Sequence, residues 1–287
     1  MSMRKFTIAI IFILLLAFFF PLTASADMGP KDSLRVYVEN PPNEEYYLDL
    51  LTQKTRPYDN FYDDERKYDT HMLSLLYRYA DEGWKPAFTE GTGLPLGGDL
   101  IGKSVDNRML HEFGYYGLPD TYRIIIVTQS GEIAVSDAYT RAALQSSITY
   151  DYATGKATVP SVFVTYLIQF ATTFLLTILI EGVILLLFRI NLRENWKAFL
   201  ITNLITQILL TFTVGIALIK GGTIGAYIVQ FPVEIVIVIA ETLVFRHFFK
   251  GVSGKRKVAY GITANLVSWL VGFLLISGMF TFLTKIL

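Results

Sequence analysis

Residues 160–284 constrain this chain more than any other part of it. Four long apolar runs, at 160–188, 198–219, 223–246 and 258–284, are cut by short basic loops. Each run reaches the about 20 residues that a helix needs to cross a hydrocarbon core about 30 Å thick. Glu181, Glu234 and Glu241 lie inside these runs. An ionisable group at that depth is costly, so it faces a bundle interior and has a partner or a task there. The expected architecture is an α+β extracytoplasmic domain followed by an all-α membrane bundle of four transmembrane helices.

The charge distribution orients the bundle. Residues 27–159 carry 21 acids and 13 bases, and residues 160–287 carry 4 acids and 10 bases. The basic residues of the second half lie in loops between apolar runs, which excludes a nucleic-acid surface and fits a membrane. Arg189, Arg193 and Lys197 follow the first run, and Arg246, Lys250, Lys255, Arg256 and Lys257 follow the third. The opposite side has Lys220 and Lys285. Basic loops stay in the cytoplasm, so loops 189–197 and 246–257 are expected inside, with residues 27–158 and the C-terminus outside.

Residues 1–26 read as a secretory signal. Arg4 and Lys5 precede an apolar stretch from Phe6 to Phe20, and Ala24-Ser25-Ala26 supplies a small-x-small cleavage site. The same residues also fit an uncleaved anchor, and both readings send the next segment across the membrane. The absence of cysteine excludes disulfides and thiolate metal sites.

Helical spacing draws a polar seam through every run. Gln230, Glu234 and Glu241 recur at i, i+4 and i+11, with Pro232 between them. Asn203, Thr206, Gln207 and Thr211 share a face, as do Gly261, Asn265, Ser268 and Gly272. Gln169, Thr173, Thr177 and Glu181 form a looser stripe. Glu181, Asn203, Gln207, Gln230, Glu234, Glu241 and Asn265 are therefore the candidate intramembrane polar site. Two readings stand side by side: carboxyls hydrogen-bonded to amides that lock helix register, or a proton, cation or substrate site. The two hairpins also read as a parallel repeat, with Glu181 and Asn203 matching Glu241 and Asn265.

In the exported part, 33–39 and 46–51 read as strands around Pro41-Pro42-Asn43. Thr70 to Tyr79 reads as a helix capped by Asp69 or Thr70, and 121–128 and 133–136 read as strands. A final helix is expected from Asp137 to Leu144. Residues 149–158 read as a polar connector, with Tyr150 and Tyr152 at the headgroup level. Gly97-Gly98-Asp99-Leu100-Ile101-Gly102-Lys103-Ser104 matches GxxxxGK[ST], but Gly91, Gly93 and Pro95 precede it instead of a buried strand, and Asp99 repels phosphate. It reads as a Gly-rich loop. Asp59, Asp63, Asp64, Glu65 and Asp69 lack calcium-loop spacing. His71, His111 and His247 are scattered, and no GxSxG or HExxH pattern occurs. No catalytic constellation, cofactor or metal site is expected.

The stretch Asp27-Met28-Gly29-Pro30-Lys31 together with the Glu181-to-Asn203 hairpin resembles a group of uncharacterised Gram-positive bacterial multi-pass membrane proteins, with an exported domain after a signal peptide and a C-terminal block of membrane helices. The resemblance implies architecture and a bacterial plasma membrane, and no activity. The expected function is a non-enzymatic membrane protein whose outer domain binds, senses or assembles. A small transporter or channel subunit using the intramembrane glutamates is the alternative. Expected partners are the lipid bilayer and either another membrane protein or an extracytoplasmic ligand, with no nucleic acid.

Overall fold

The computed structural model describes residues 29–61 and 67–287, so residues 1–26, expected to be a signal segment, lie outside the described residues. In chain order the first elements are β1 (Ser33–Glu39), β2 (Tyr46–Thr52), α1 (Thr70–Arg78), β3 (Lys85–Pro86), α2 (Ala87–Glu90), β4 (Lys103–Val105) and β5 (Arg108–Gly114). They continue with β6 (Thr121–Thr128), β7 (Ile133–Val135), β8 (Tyr139–Thr140), β9 (Gln145–Asp151) and β10 (Lys156–Thr158). One sheet runs β10-β9-β1-β5-β4, with β1 and β9 parallel. The other runs β3-β2-β6-β7, all antiparallel, with β8 against β6.

Burial patterns set the layers. β1 alternates, with Leu34, Val36 and Val38 buried, as a strand with one covered face must. β2 is buried along its whole length, so both of its faces are covered. Its even positions face the first sheet: the Tyr46 hydroxyl lies 3.1 Å from His111 Nε2 on β5. Its odd positions face the helices: the Tyr47 hydroxyl accepts from the Asp69 N–H, and Asp49 bonds α2. Asp69 caps α1 by accepting from the His71 and Met72 N–H groups, as expected from sequence.

Two expectations fail in this part. Residues 137–144 form no helix: they hold the short β8, and Ala143 is buried among bundle side chains. Residues 149–158 are not a connector. β9 lies in the first sheet in parallel register with β1, Tyr150 is buried, and β10 closes the edge. β9 alternates as β1 does, with Ser146, Ile148 and Tyr150 inward, but with a serine inward and polar residues around it the stretch reads as a polar loop.

Then come α3 (Val162–Leu187), α4 (Leu192–Leu210), a π-helical turn (Thr211–Gly215), α5 (Ile216–Phe248) and α6 (Gly254–Leu283). Three continuous helical stretches are long and apolar enough to cross a membrane: Val162–Leu187, Leu192–Phe248 and Gly254–Leu283. That corrects the expected count of four separate spans, because the short loop at Lys220-Gly221-Gly222-Thr223 is absorbed into a kink. The second stretch doubles back there. Gly222 adopts φ 67° and ψ −165°, a conformation open in practice to glycine alone. A straight helix would hold residues 206 and 241 about 50 Å apart, yet Thr206 Oγ1 donates to Glu241 Oε1 over 2.5 Å.

The N-terminal part grips one end of the bundle. The Leu144 N–H donates to the Ile219 carbonyl over 2.9 Å, beside the kink. Arg35 Nη2 donates to the Thr284 carbonyl over 2.6 Å, one of the carbonyls a helix end leaves without an internal partner. The Ser147 N–H and hydroxyl both donate to the Leu287 carbonyl. The kink and the end of α6 therefore lie on the domain side, and the basic loops after α3 and α5 lie at the far end. There Asn195 joins them, accepting from the Lys250 N–H over 2.7 Å.

Candidate functional site

The bundle inverts the packing of a soluble protein. Leu175 is 67% exposed and Ile228 69%, whereas Glu181 is 1% exposed and Asn203 0%. Two apolar clusters close the interior. Leu218, Ile219, Ile276 and Phe280 pack at the domain side with Ala143, and Phe245, Phe249 and Tyr260 pack at the far end. Between them lies a cavity of about 140 Å³. Six of the seven candidate residues line it: Glu181, Gln207, Gln230, Glu234, Glu241 and Asn265. Asn203 is buried without lining the cavity.

The hydrogen bonds of this core are reciprocal between the two hairpins. Glu181 Oε1 accepts from Ser268 over 2.9 Å, three residues after Asn265. Glu241 Oε1 accepts from Thr206, three residues after Asn203. Each hairpin's glutamate thus takes a hydroxyl from the other hairpin, the exchange that a two-fold axis along the bundle produces. The two asparagines also match, each donating Nδ2 to the carbonyl four residues back. The pairing is then unequal. Asn265 Nδ2 also donates to Glu241 Oε2 over 3.0 Å. Asn203 also pairs with Glu181, more loosely, and Glu181 Oε2 and Asn203 Oδ1 are each buried without a close hydrogen-bond partner. Nearer the domain, Gln207 donates to Thr173 over 2.6 Å and Gln230 to Glu234 over 3.4 Å. Gln169 Oε1, at the end of a flexible side chain, reaches to within 2.8 Å of where a Cβ on Gly215 would sit, beside the π-helical turn.

A second cavity, of about 380 Å³, opens on the N-terminal domain. Lys54, Trp84, Tyr116, Pro119 and Asp120 are among its walls, a mix of aromatic faces and both charges. Arg141 stands behind the Pro119-Asp120 wall and is nearly buried. Its guanidinium donates to the Pro119 carbonyl (3.1 Å), to Asp120 (2.9 Å), to Asp32 (2.9 Å) and to the Leu144 carbonyl (3.3 Å). Leu144 is the residue that bonds Ile219 at the bundle kink. Neither this cavity nor Arg141 is marked by a motif, because their parts come from five separate segments.

The GxxxxGK[ST] match is structural. Asp99 pairs with Lys67 at 2.5 Å and accepts from the Ile101 N–H and the Tyr68 hydroxyl. Burial pushes its carboxyl up, but these partners outweigh that and hold it below the ordinary carboxylate range. Gly102 lies against His111, and Lys103 and Ser104 belong to β4. Of the acidic loop, Asp63, Asp64 and Glu65 lie outside the described residues. Among the described residues no three acids or histidines converge as a metal cage.

Asp49 and His111 are buried in the domain core. Asp49 is pushed up to about 6 by burial, against the pull of bonds from Thr89, Phe88 and Leu50. Burial lowers His111 to about 4. Asp49 fastens α2 to β2 and His111 fastens β5 to Tyr46, so both are parts of the core. The chain matches no protein-family profile, no curated protein and no solved structure.

Proposed function

We propose that this is a non-enzymatic multi-pass protein of a bacterial plasma membrane, whose outer domain binds a small ligand and transmits occupancy to the bundle. The observation that carries this reading is Arg141. It bonds the Pro119-Asp120 wall of the larger cavity on one side and Leu144, at the bundle kink, on the other. A cavity of about 380 Å³ lies in the range that holds small molecules. The apolar exterior and polar interior of the bundle support the membrane reading. The basic far-end loops support placing the N-terminal domain outside.

The coupling is tested by hydrogen exchange of residues 216–224 in the full chain. Arg141→Gln should raise their exchange at least tenfold, as the Leu144–Ile219 clamp loosens. Unchanged exchange removes the coupling. Orientation is tested with single cysteines, which the natural chain lacks. An impermeant maleimide on intact cells should label Arg78→Cys and leave Arg193→Cys unlabelled, and the reverse pattern inverts the topology.

The smaller cavity favours a second reading, a transporter or channel subunit using Glu181, Glu234 and Glu241. Glu→Gln changes at all three should then abolish flux in proteoliposomes. Full flux in that triple variant excludes it.

A further inference from the structure

We infer that the larger cavity takes the headgroup of an outer-leaflet phospholipid, a phosphodiester carrying a primary amine, while the loops at its rim dip into the headgroup layer. The inference rests on the ligand-binding reading of the outer domain above and names the class of ligand.

The rim lies at the membrane end of the domain. Val162, at the start of α3, packs in the same apolar cluster as Ile219 beside the kink. α3 has 26 residues. At 1.5 Å per residue it spans about 39 Å, so its ends stand a few ångströms beyond a hydrocarbon core about 30 Å thick. The kink is thereby held at headgroup level. Pro30 Cγ comes within 2.6 Å of where a Cβ on Gly222 would sit, and Gly29 abuts Ile224. The next residue, Lys31, donates from Nζ to the Tyr116 hydroxyl over 3.0 Å. Tyr116 lines the cavity. One lysine side chain therefore joins the bundle end to the cavity wall here, as Arg141 does through Asp120.

The rim suits an interface. The Gly117 N–H donates to the Pro95 carbonyl and the Thr92 hydroxyl to the Gly117 carbonyl, each over 2.8 Å. The two loops so joined carry Leu94, Tyr115 and Tyr116, exposed by 53%, 39% and 58%. Among the other described residues before α3, the large apolar side chains left this open are Tyr77, Ile133 and Val159. Tyr115 holds φ 81°, a left-handed conformation that a bulky residue seldom adopts. It presents its ring edge-on to Tyr116, with the Lys31 ammonium 5.5 Å and 4.9 Å from the two ring centres. Tyrosine rings and lysine ammonium groups are the side chains that settle at the boundary of bilayer and water.

The walls select the headgroup. Lys54 and Asp120 are the charged residues that line the cavity, and both are exposed. Among the described residues Lys54 has no acid partner. Asp120 accepts from Arg141 on Oδ1, and its side chain is still 86% exposed. One cation and one anion in a single cavity match a zwitterion, with the phosphate at Lys54 and the amine at Asp120. A trimethylated amine would offer Asp120 no N–H. An anionic headgroup without an amine would set like charge against it.

The test uses the full chain with Trp196→Phe and Trp269→Phe, so that Trp84, on the cavity wall, is the remaining reporter. In maltoside micelles at fixed pH and ionic strength it is titrated with phosphatidylethanolamine, phosphatidylcholine and phosphatidylglycerol of one acyl composition, and separately with soluble glycerophosphoethanolamine. Phosphatidylethanolamine should change the Trp84 emission saturably, with a midpoint about tenfold below those of the other two lipids. Lys54→Gln and Asp120→Asn should each raise that midpoint about tenfold, and Lys156→Gln on β10 should move it less than about twofold. Tyr115→Asn keeps a residue that tolerates the backbone and removes the ring. It should raise the lipid midpoint about threefold and leave the midpoint for glycerophosphoethanolamine in place. Equal midpoints for the three lipids overturn the inference, as do Lys54→Gln and Asp120→Asn variants that respond like the natural side chains. Glycerophosphoethanolamine binding as tightly as the lipid, with Tyr115→Asn silent, overturns the lipid source and leaves the small-ligand reading standing. No response to any of the four compounds also overturns the inference, and the small-ligand reading then rests on the hydrogen-exchange result.

Discussion

The N-terminal domain and the bundle solve the burial problem in opposite ways. The domain buries Leu34, Leu48, Leu50, Ile124 and Ile126 and leaves two buried side-chain atoms without partners, His111 Nδ1 and Tyr152 Oη. The bundle turns leucine and isoleucine outward, buries glutamate, asparagine and glutamine, and leaves six such atoms unpartnered among the described residues. In water, removing apolar area from solvent drives packing. Between helices in lipid that drive is absent, and close packing and hydrogen bonds decide the interior. The unpartnered acceptors therefore stand out more in the bundle than they would in a soluble core.

The same substitution in the two regions gives the largest contrast. Leu50→Ala should cost about 2–5 kcal/mol, the usual loss for a large-to-small change in a packed core. Leu175→Ala, on the exposed face of α3, should cost less than about 1 kcal/mol. Both are read from the denaturant midpoint of the full chain, and equal costs would erase the distinction. Leu175→Lys sharpens it. A lipid-facing lysine near the middle of α3 should cost about 2.5–3.5 kcal/mol and lower the membrane-inserted yield. Undiminished insertion would mean that this face does not meet lipid.

Asp49 and His111, both buried in the domain, oppose each other. Asp49 binds its proton more tightly folded (about 6) than unfolded (3.8), so its contribution to stability falls as pH rises from 4 to 6. His111 binds its proton less tightly folded (about 4) than unfolded (6.5), so its contribution is full above 6.5 and falls as pH drops to 4. Each amounts to about 3 kcal/mol, and across pH 4–6 they nearly cancel. His111→Gln should leave stability falling with rising pH over that window, and Asp49→Asn should leave it rising. Fluorescence of Trp84, with Trp196 and Trp269 replaced by phenylalanine, reports the domain. Parallel slopes in the two variants would contradict the assignment. A smaller effect belongs to the junction: Gly222→Ala should cost about 1–3 kcal/mol from backbone strain. The added methyl also meets Pro30 and Leu144. Its unfolding midpoint checks this, and a neutral result would mean that the kink relaxes freely.

Much of the bundle was legible in the sequence because helical spacing is local. Gln230, Glu234 and Glu241 share a face by arithmetic, and the structure buries all three. The contacts across helices were not legible. Nothing local pairs Thr206 with Glu241 or Ser268 with Glu181, since each joins residues brought together only by packing. In the domain, β1 alternates, β2 and β6 are apolar runs and α1 has a cap, and all four lie within a residue or two of where those signals put them. β9 was misread because its residues are mostly polar and one of its three inward positions is a serine, Ser146. The helix expected through Ala142-Ala143-Leu144 lost to tertiary contacts, as Leu144 bonds Ile219 and Ala143 fills the bundle's apolar end.

By itself, then, the sequence determined the class of each half: periodicity, capping and run length are near-neighbour effects that act wherever the chain goes. The tertiary structure alone decided that the domain clamps the kink through Leu144, that Arg141 backs a cavity wall, and that Glu181 keeps an oxygen its repeat partner has satisfied. Each depends on groups from distant segments meeting within about 3 Å, a distance set by the packing of whole elements.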